Sequence, residues 1–276
     1  MKFRNLVFPV LVIIISLLAI SGCSDENNEM LPDRDTPGKV YDIEGNEYKT
    51  VLIGNQIWMA ENLRVSRYNN GKDIPTGLSN EEWENSTVGA YTIYPHEGGY
   101  YEDFIDGIGS DHDMIKAYGK LYNWYVVADP RGVCPEGWHV PTNDDWLQLL
   151  NYIIDEYDSG YHYEDPDGAG NLLKSCLQVN STYSEECNTI SHPRWNAHNV
   201  HHGFDEFGFS ALPGGYRFTN GQYYNIGNYG YWWSSTENSS TESWWWSIRN
   251  YFGSLNRYFY EKQHGLSVRC VRNIDK

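Results

Sequence analysis

The residues best suited to bind a ligand are aromatic and lie in the C-terminal part of the chain. The sequence has 11 Trp and 23 Tyr, whose rings combine a flat apolar face with one polar group and so suit stacking on a sugar or a peptide. The residues that we expect to contribute to a ligand-binding surface are Trp232, Trp233, Trp244, Trp246, Tyr223, Tyr229 and Tyr251. Because successive side chains of a strand point to opposite faces, at least part of this set must lie in the core.

The acidic segment at 102–113 has side chains that could bind calcium, which prefers several oxygen ligands. The candidate carboxylates are Asp106, Asp111 and Asp113. Their spacing does not match the twelve-residue EF-hand loop. The sequence therefore predicts a solvated acidic loop and no metal or other cofactor, with calcium as the alternative.

Other chemistries find little support in the residue types. The chain has no Gly-x-Ser-x-Gly and no phosphate-binding loop, and no acid–base pair stands out among its 37 Asp and Glu residues. A net charge of -17 argues against nucleic acid as a partner, because phosphates require Lys and Arg. We therefore expect a protein without catalytic residues.

Four cysteines beyond residue 130 could form disulfides, and they are Cys134, Cys176, Cys187 and Cys270. An even number of cysteines is typical of disulfide-bonded exported proteins. Four cysteines allow three pairings. One of them joins Cys176 to Cys187 across a ten-residue polar segment and leaves Cys134 with Cys270, but the sequence alone does not choose between the three.

The fifth cysteine, Cys23, follows a basic start and an apolar run from Leu6 to Ile20. This layout is typical of a secretory signal, and the run is shorter than the roughly 20 residues of a spanning helix; an uncleaved anchor is the alternative. The residues up to Cys23 resemble the lipobox of bacterial lipoproteins, which implies removal of residues 1–22 and a lipid on Cys23. Several acyl chains anchor a protein durably, so we expect an outer-membrane lipoprotein.

The acidic residues after Cys23 resemble the surface-export signal of Bacteroidota lipoproteins. That resemblance implies exposure on the cell surface, with a short acidic linker and a periplasmic orientation as the alternatives. Residues 23–37 are polar and contain Pro32 and Pro37, which indicates a flexible tether between the lipid and a folded domain.

The elements that must position these side chains begin near Lys39. Strand-like runs between Val40 and Met59 are interrupted by turn residues at 44–46 and 54–55, which predicts a three-stranded meander. Later in the chain, short candidate strands extend from Phe209 to Arg272, with 212–217 as a tight turn.

One principal helix is predicted over 142–157. Trp146, Leu149, Leu150 and Ile153 follow the helical spacing of a buried stripe, and Thr142 is a suitable N-cap. Together with the short antiparallel strands and long loops, this helix predicts the α+β class.

Several stretches, taken in order, carry a family resemblance. They are Gly38–Asp42 with Trp58–Leu63, Tyr118–Trp124, Cys134–Thr142, and Tyr231–Thr236 with Ser267–Arg272. They resemble the major paralogous domain family first named from Fibrobacter succinogenes, over about residues 38–274. The resemblance implies a single domain of the C-type-lectin-like fold group, and it implies a Cys134–Cys270 disulfide. The Glu-Pro-Asn and Trp-Asn-Asp signatures of calcium-dependent lectins are absent, so their sugar site is not carried over.

We therefore expect a lipid-anchored cell-envelope protein with a non-catalytic role in ligand binding or adhesion. Its partners would be the membrane, through the lipid, and a glycan, a peptide or a surface protein; the oligomeric state stays open. An envelope enzyme that acts on polysaccharide or protein is one alternative. A structural or tip subunit of a surface appendage is the other.

Overall fold

Antiparallel sheets and short helices make up the protein, whose computed structural model describes residues 37–100, 105–157 and 168–274. The strands are β1 (Lys39–Tyr41), β2 (Glu47–Ile53), β3 (Gln56–Met59), β4 (Tyr91–Thr92), β5 (Leu121–Tyr122), β6 (Gly214–Arg217), β7 (Tyr223–Ile226), β8 (Tyr229–Glu237), β9 (Glu242–Arg249), β10 (Leu255–Glu261) and β11 (Val271–Asn273). The helices are α1 (Asn80–Glu84), α2 (Asp111–Tyr118), α3 (Trp124–Val127), α4 (Asn143–Tyr157) and α5 (Ala169–Leu173). The fold is α+β, as the sequence predicted.

The N-terminal sheet has the strand order β1-β2-β3-β11. In β2 buried and exposed side chains alternate over most of the strand, as expected where one face of a sheet meets the core. Gly54 turns the chain into β3 at φ +59°, a left-handed conformation that glycine adopts without strain. The predicted meander is confirmed, and β11 returns the end of the chain to the same sheet.

A second sheet has the order β10-β9-β8. Its register places Trp232 opposite Trp246 and Trp233 opposite Trp245. Side chains directly opposite one another share a face of the sheet. Neighbouring tryptophans of this sequence therefore belong to different faces, and only one of these faces meets α4.

Helix α4 lies between the two sheets. It begins where predicted, because the Asp145 N–H donates to Thr142 Oγ1 at 3.1 Å while the Asp145 carboxylate accepts the Thr142 N–H at 2.8 Å. These two bonds are a reciprocal helix cap. From the buried side of the helix, the ring of Trp146 lies 4.7 Å from that of Trp58 in β3 and 5.8 Å from that of Trp246 in β9.

The predicted turn at 212–217 is wrong, because β6 occupies 214–217 and pairs with β7. Two adjacent glycines permit this. At Gly215, φ is +64° and a Cβ atom would lie 2.5 Å from the carbonyl oxygen of Tyr224, so only glycine allows the strands to approach so closely. Conversely, the strand predicted at 209–212 is reduced to an isolated bridge between Lys174 and Ala211.

Two disulfides join Cys134 to Cys270 and Cys176 to Cys187, so the prediction of disulfide bonds is confirmed. The first ties the segment before α4 to the residue before β11. The lipid-attachment candidate Cys23 lies outside the described residues. None of the helices in the described ranges has both the length and the apolar character of a membrane span.

Candidate functional site

Three tryptophans predicted to bind a ligand belong to the core instead. Trp232 and Trp233 are 0% exposed and Trp246 is 1% exposed. Their indole N–H groups donate to protein oxygen atoms at 2.7–3.0 Å. For these three residues the prediction of a binding surface is wrong, because α4 covers one face of β8 and β9 and the segment around Tyr122 covers Trp233.

Two further candidates, Trp244 and Tyr223, are half-buried but lie apart from each other. Trp244 meets Phe259 edge-on, with ring centroids 5.2 Å apart. Tyr223 packs against Tyr94 at 5.3 Å, and its hydroxyl lies 2.5 Å from that of Thr92. Neither side chain lines the aromatic cavity described next.

Aromatic side chains on the second sheet and its neighbours line a cavity of about 200 Å³, and five of their rings contact one another in a closed circuit. In order around the circuit they are Tyr216, Tyr231, Trp245, Tyr260 and His264, which returns to Tyr216, with successive ring centroids 4.8–6.0 Å apart. We call these five residues the aromatic cage. The cavity is smaller than the ~300–1,000 Å³ of pockets for drug-sized ligands, so it suits a group the size of one ring.

The strands position the cage through their alternation. Trp245 lies between Trp244 and Trp246 in β9 and points to the face that α4 does not cover. Tyr231 of β8 and Tyr260 of β10 flank it on that face. The indole N–H of Trp245 makes no hydrogen bond with any described residue, so it remains a donor for a ligand.

His264 supplies the one imidazole of the cage. Burial lowers its pKa from the usual value, so the ring is neutral at pH 7. Its Nδ1 lies 3.0 Å from the carbonyl oxygen of Glu261; because a carbonyl can only accept, Nδ1 carries the proton. His264 Nε2 is therefore an acceptor, which complements the donors of the tyrosine hydroxyls and Trp245.

Arg249 and Tyr229 extend the lining of the cavity at the end of β9 and the start of β8. The guanidinium carbon of Arg249 lies 5.1 Å from the Tyr229 ring centroid. The hydroxyl of Tyr229 is hydrogen-bonded to that of Tyr251, and burial raises the pKa of Tyr229 to about 12. Of the predicted residues, Tyr229 thus lines the cavity, and Tyr251 fixes the position of the Tyr229 hydroxyl through their hydrogen bond.

The acidic candidates have local roles in and around α2. At the helix N-terminus the Asp113 carboxylate accepts a hydrogen bond from Ser110 Oγ, and the Asp113 N–H donates one to the same oxygen. Asp111 Oδ1 lies 2.9 Å from His96 Nδ1. The backbone oxygen of Asp106 accepts from the His192 N–H. Within the described ranges no group of three or more His, Cys, Asp or Glu side chains is arranged to hold a metal ion.

A larger cavity, of about 460 Å³, lies beside α2. Its charged lining residues have both signs and include Lys49, Glu61, Asp113 and Lys116. Among the described residues that line it there is no aromatic side chain. We take the aromatic cage as the candidate site because it offers stacking faces and unused hydrogen-bonding groups together.

Sequence reasoning missed most of the lining of this cavity. The missed residues are Tyr216, Phe218, Tyr231, Trp245, Arg249, Tyr260, His264 and Leu266. Strict alternation along β9 already separates Trp245 from Trp244 and Trp246, and it could have indicated Trp245 and Arg249 together. Nothing local to the sequence indicates Tyr216 or His264, which reach the cage only through the tertiary fold.

The stretches that carry the family resemblance meet elsewhere, at the buried side chain of Asn62. Its Nδ2 donates to the Tyr118 carbonyl oxygen at 2.9 Å and to Ser267 Oγ at 3.2 Å. Its Oδ1 accepts from Trp232 Nε1 at 2.8 Å and from Arg269 Nη2 at 3.1 Å. The residues that meet at Asn62 therefore stabilise the core, whereas Tyr231, the first residue of one of these stretches, lines the cage.

A family model described as the Fibrobacter succinogenes major domain matches residues 51–272. The matched range contains the aromatic cage and both disulfides. Neither the curated proteins nor the solved structures contain a match to the chain.

Proposed function

The chain belongs to the Fibrobacter succinogenes major domain family, and we propose that it is a glycan-binding protein of the cell envelope with the aromatic cage as its binding site. The observation that carries this proposal is the set of five mutually contacting aromatic rings that line a cavity of about 200 Å³. The role is non-catalytic, in adhesion or capture.

A glycan fits this cavity better than the other ligand classes considered from the sequence. The C–H face of a sugar ring stacks on aromatic rings, and sugar hydroxyls both donate and accept hydrogen bonds. The cage offers Trp245 Nε1 as a donor, His264 Nε2 as an acceptor and the hydroxyl of the 46%-exposed Tyr260, which can do either. An extended peptide would need a longer groove than a cavity of about 200 Å³ provides.

The alternative of a polysaccharide-cleaving enzyme lacks the necessary groups at this cavity. Glycoside hydrolysis ordinarily uses two carboxyl groups about 5–10 Å apart. Among the described residues that line the cage there is no Asp or Glu.

The proposal extends to the surroundings of the domain. We propose that the protein is an outer-membrane lipoprotein exposed at the cell surface. The signal-like residues before Cys23 support this location. Incorporation of alkyne-labelled palmitate should occur in the wild-type protein and not in Cys23→Ala, and added protease should reach the protein on intact cells. The domain itself would be C-type-lectin-like, which is supported by the sheet that unites the first and last strands and by the disulfide near α4.

The binding site is tested with a matched pair of variants in β10. Tyr260 and Phe259 are both 46% exposed, but only Tyr260 lines the cage, because adjacent strand residues face opposite sides. On a glycan array probed with the full-length protein in detergent, Tyr260→Ala should weaken the best glycan by about tenfold, since aromatic contacts contribute about 0.5–1.5 kcal/mol beyond the buried area. Phe259→Ala should bind as the wild type does.

Two results would count against this proposal. If no glycan binds the wild-type protein above background, the function is wrong. If Phe259→Ala weakens binding and Tyr260→Ala does not, the ligand contacts the outer side of β10, and the cage is not the site.

A further inference from the structure

Arg249 is the only cation among the described residues that line the aromatic cage. It is half-buried, and its Nε is fully shielded without a hydrogen-bond partner. No described residue accepts a hydrogen bond from its guanidinium or forms an ion pair with it. Its contacts are the rings of Tyr229, Phe252 and Tyr258, at 5.1–5.6 Å from the guanidinium carbon.

A structural arginine of this protein looks different. Arg217 is 4% exposed and donates to the carbonyl oxygens of Gly221 and Leu78 and to Asn80 Oδ1 at 3.1–3.3 Å. Its donors are thus satisfied within the fold. The shielded Nε of Arg249 is out of reach of a ligand, but its two Nη groups are not fully shielded and make no hydrogen bond with any described residue. They can therefore donate to an acceptor that enters the cavity.

We infer that the cage takes a sugar ring bearing a carboxylate, a hexuronic acid residue of an acidic polysaccharide; this rests on the proposed glycan-binding function. A carboxylate accepts two parallel hydrogen bonds from the planar guanidinium fork. The aromatic rings hold the sugar ring beside it. Aromatic circuits also bind cationic ammonium groups, but the charge of Arg249 opposes a cation in the same cavity.

The overall charge of the protein does not exclude such a ligand. The net charge is -17, which repels polyanions at long range. At physiological ionic strength the screening length is about 8 Å, so the potential inside the cavity is set mainly by groups close to it. The carboxylate of Glu261 lies 3.6 Å from His264 Nδ1 but does not line the cavity, so among the described lining residues Arg249 is the one that carries a charge.

The test uses oligosaccharides of glucuronic, galacturonic and mannuronic acid, each beside its carboxyl-reduced counterpart. The reduced sugar keeps the stereochemistry and replaces the carboxylate by a neutral CH₂OH group. Isothermal titration of the full-length protein in detergent should show at least one uronide bound about tenfold or more tightly than its reduced form, as expected for a charge-assisted pair. A sulfated galactan oligosaccharide serves as the other anion.

Variants then assign the preference to Arg249. Arg249→Gln should abolish the discrimination between acidic and reduced sugars, and Arg249→Lys should retain only part of it. Arg257→Gln is the matched control, because Arg257 lies opposite Trp246 and so on the other face of the sheet; it should leave the discrimination unchanged. The melting temperature of each variant reports whether its fold is intact.

Other results would overturn either the carboxylate inference, the assignment to Arg249 or the proposed function. If reduced or other neutral glycans bind as tightly as uronides, or if only the sulfated sugar binds, the carboxylate inference is overturned while glycan binding stands. If Arg249→Gln keeps the preference for the acid, the assignment to Arg249 is overturned. If no glycan binds, the proposed function itself is wrong.

Discussion

Replacement of both Cys134 and Cys270 by alanine should destabilise the protein more than the corresponding change at Cys176 and Cys187. The bonded residues are 136 positions apart in the first pair and 11 in the second. In the chain-entropy model a cross-link stabilises by restricting the unfolded chain, which gives about 5 kcal/mol for the long loop and about 3 kcal/mol for the short one. The expected difference in the free energy of unfolding is about 2 kcal/mol.

The location of the long-range disulfide should increase this difference. Cys134 is 4% exposed and Cys270 is 0% exposed, within a core cluster that includes Met59, Val268 and Trp233. Removing two sulfur atoms there leaves a cavity that the rigid surroundings fill only partly. Cys176 is less buried, so part of its neighbourhood can relax into solvent.

The assay is urea unfolding of the two double-alanine variants beside the wild type, monitored by tryptophan fluorescence at pH 7 without reductant. Double variants avoid a free thiol that could pair wrongly. Equal losses, or a larger loss for the Cys176–Cys187 pair, would refute the argument from loop length. An unchanged midpoint for the Cys134–Cys270 variant would show that this bond does not form.

Three further predictions use the same unfolding assay. Asn62→Ala removes four hydrogen bonds of the core, including the one from Arg269, and should cost about 4 kcal/mol; a cost below 1 kcal/mol would contradict its central role. Burial lowers the pKa of His192 to about 4, so between about pH 6.5 and 4 the unfolded state binds more protons than the folded state. The free energy of unfolding should therefore fall by at most about 3 kcal/mol as the pH falls through this range. His192→Gln should flatten that part of the pH profile. Hydrogen bonds from His139 and Thr142 hold the pKa of Asp145 well below its usual range despite its burial. Its contribution to folding stability is therefore present at pH 7 and lost as the pH falls below about 4. Asp145→Asn should lower the free energy of unfolding by about 1–2 kcal/mol at pH 7 and remove the loss of stability in acid.

The elements that could be predicted from the sequence are those whose cause is local. The helical spacing from Trp146 to Ile153 and the cap at Thr142 lie within a few residues of each other, and α4 follows from them. The turn residues Gly54 and Asn55, which separate β2 from β3, act locally as well. By contrast, β6 forms because Gly215 lets its backbone approach Tyr224. Residues 212–217 alone do not predict this contact, since Tyr224 lies outside that segment.

The site was harder to predict than the fold because the type of a residue does not show which face of the sheet its side chain points to. Five tryptophans in β8 and β9 offer the same chemistry, yet the three most buried of the predicted ones, Trp232, Trp233 and Trp246, serve the core. Direction depends on which face another element covers. Here α4 covers the face of Trp246, which leaves Trp245 on the other face.

Recognising the family did not reveal the ligand, because most of the motif residues lie in the core and not at the cavity. Inside the core, Asn62 accepts hydrogen bonds from the motif residues Trp232 and Arg269. A buried polar network of this kind can fix a unique arrangement of the elements around it. The cage residues Tyr260 and Trp245 are free of that network. Substitutions at an exposed cage residue such as Tyr260, which is 46% exposed, can therefore change the ligand without loss of the fold, so proteins that share these motifs should differ in what they bind.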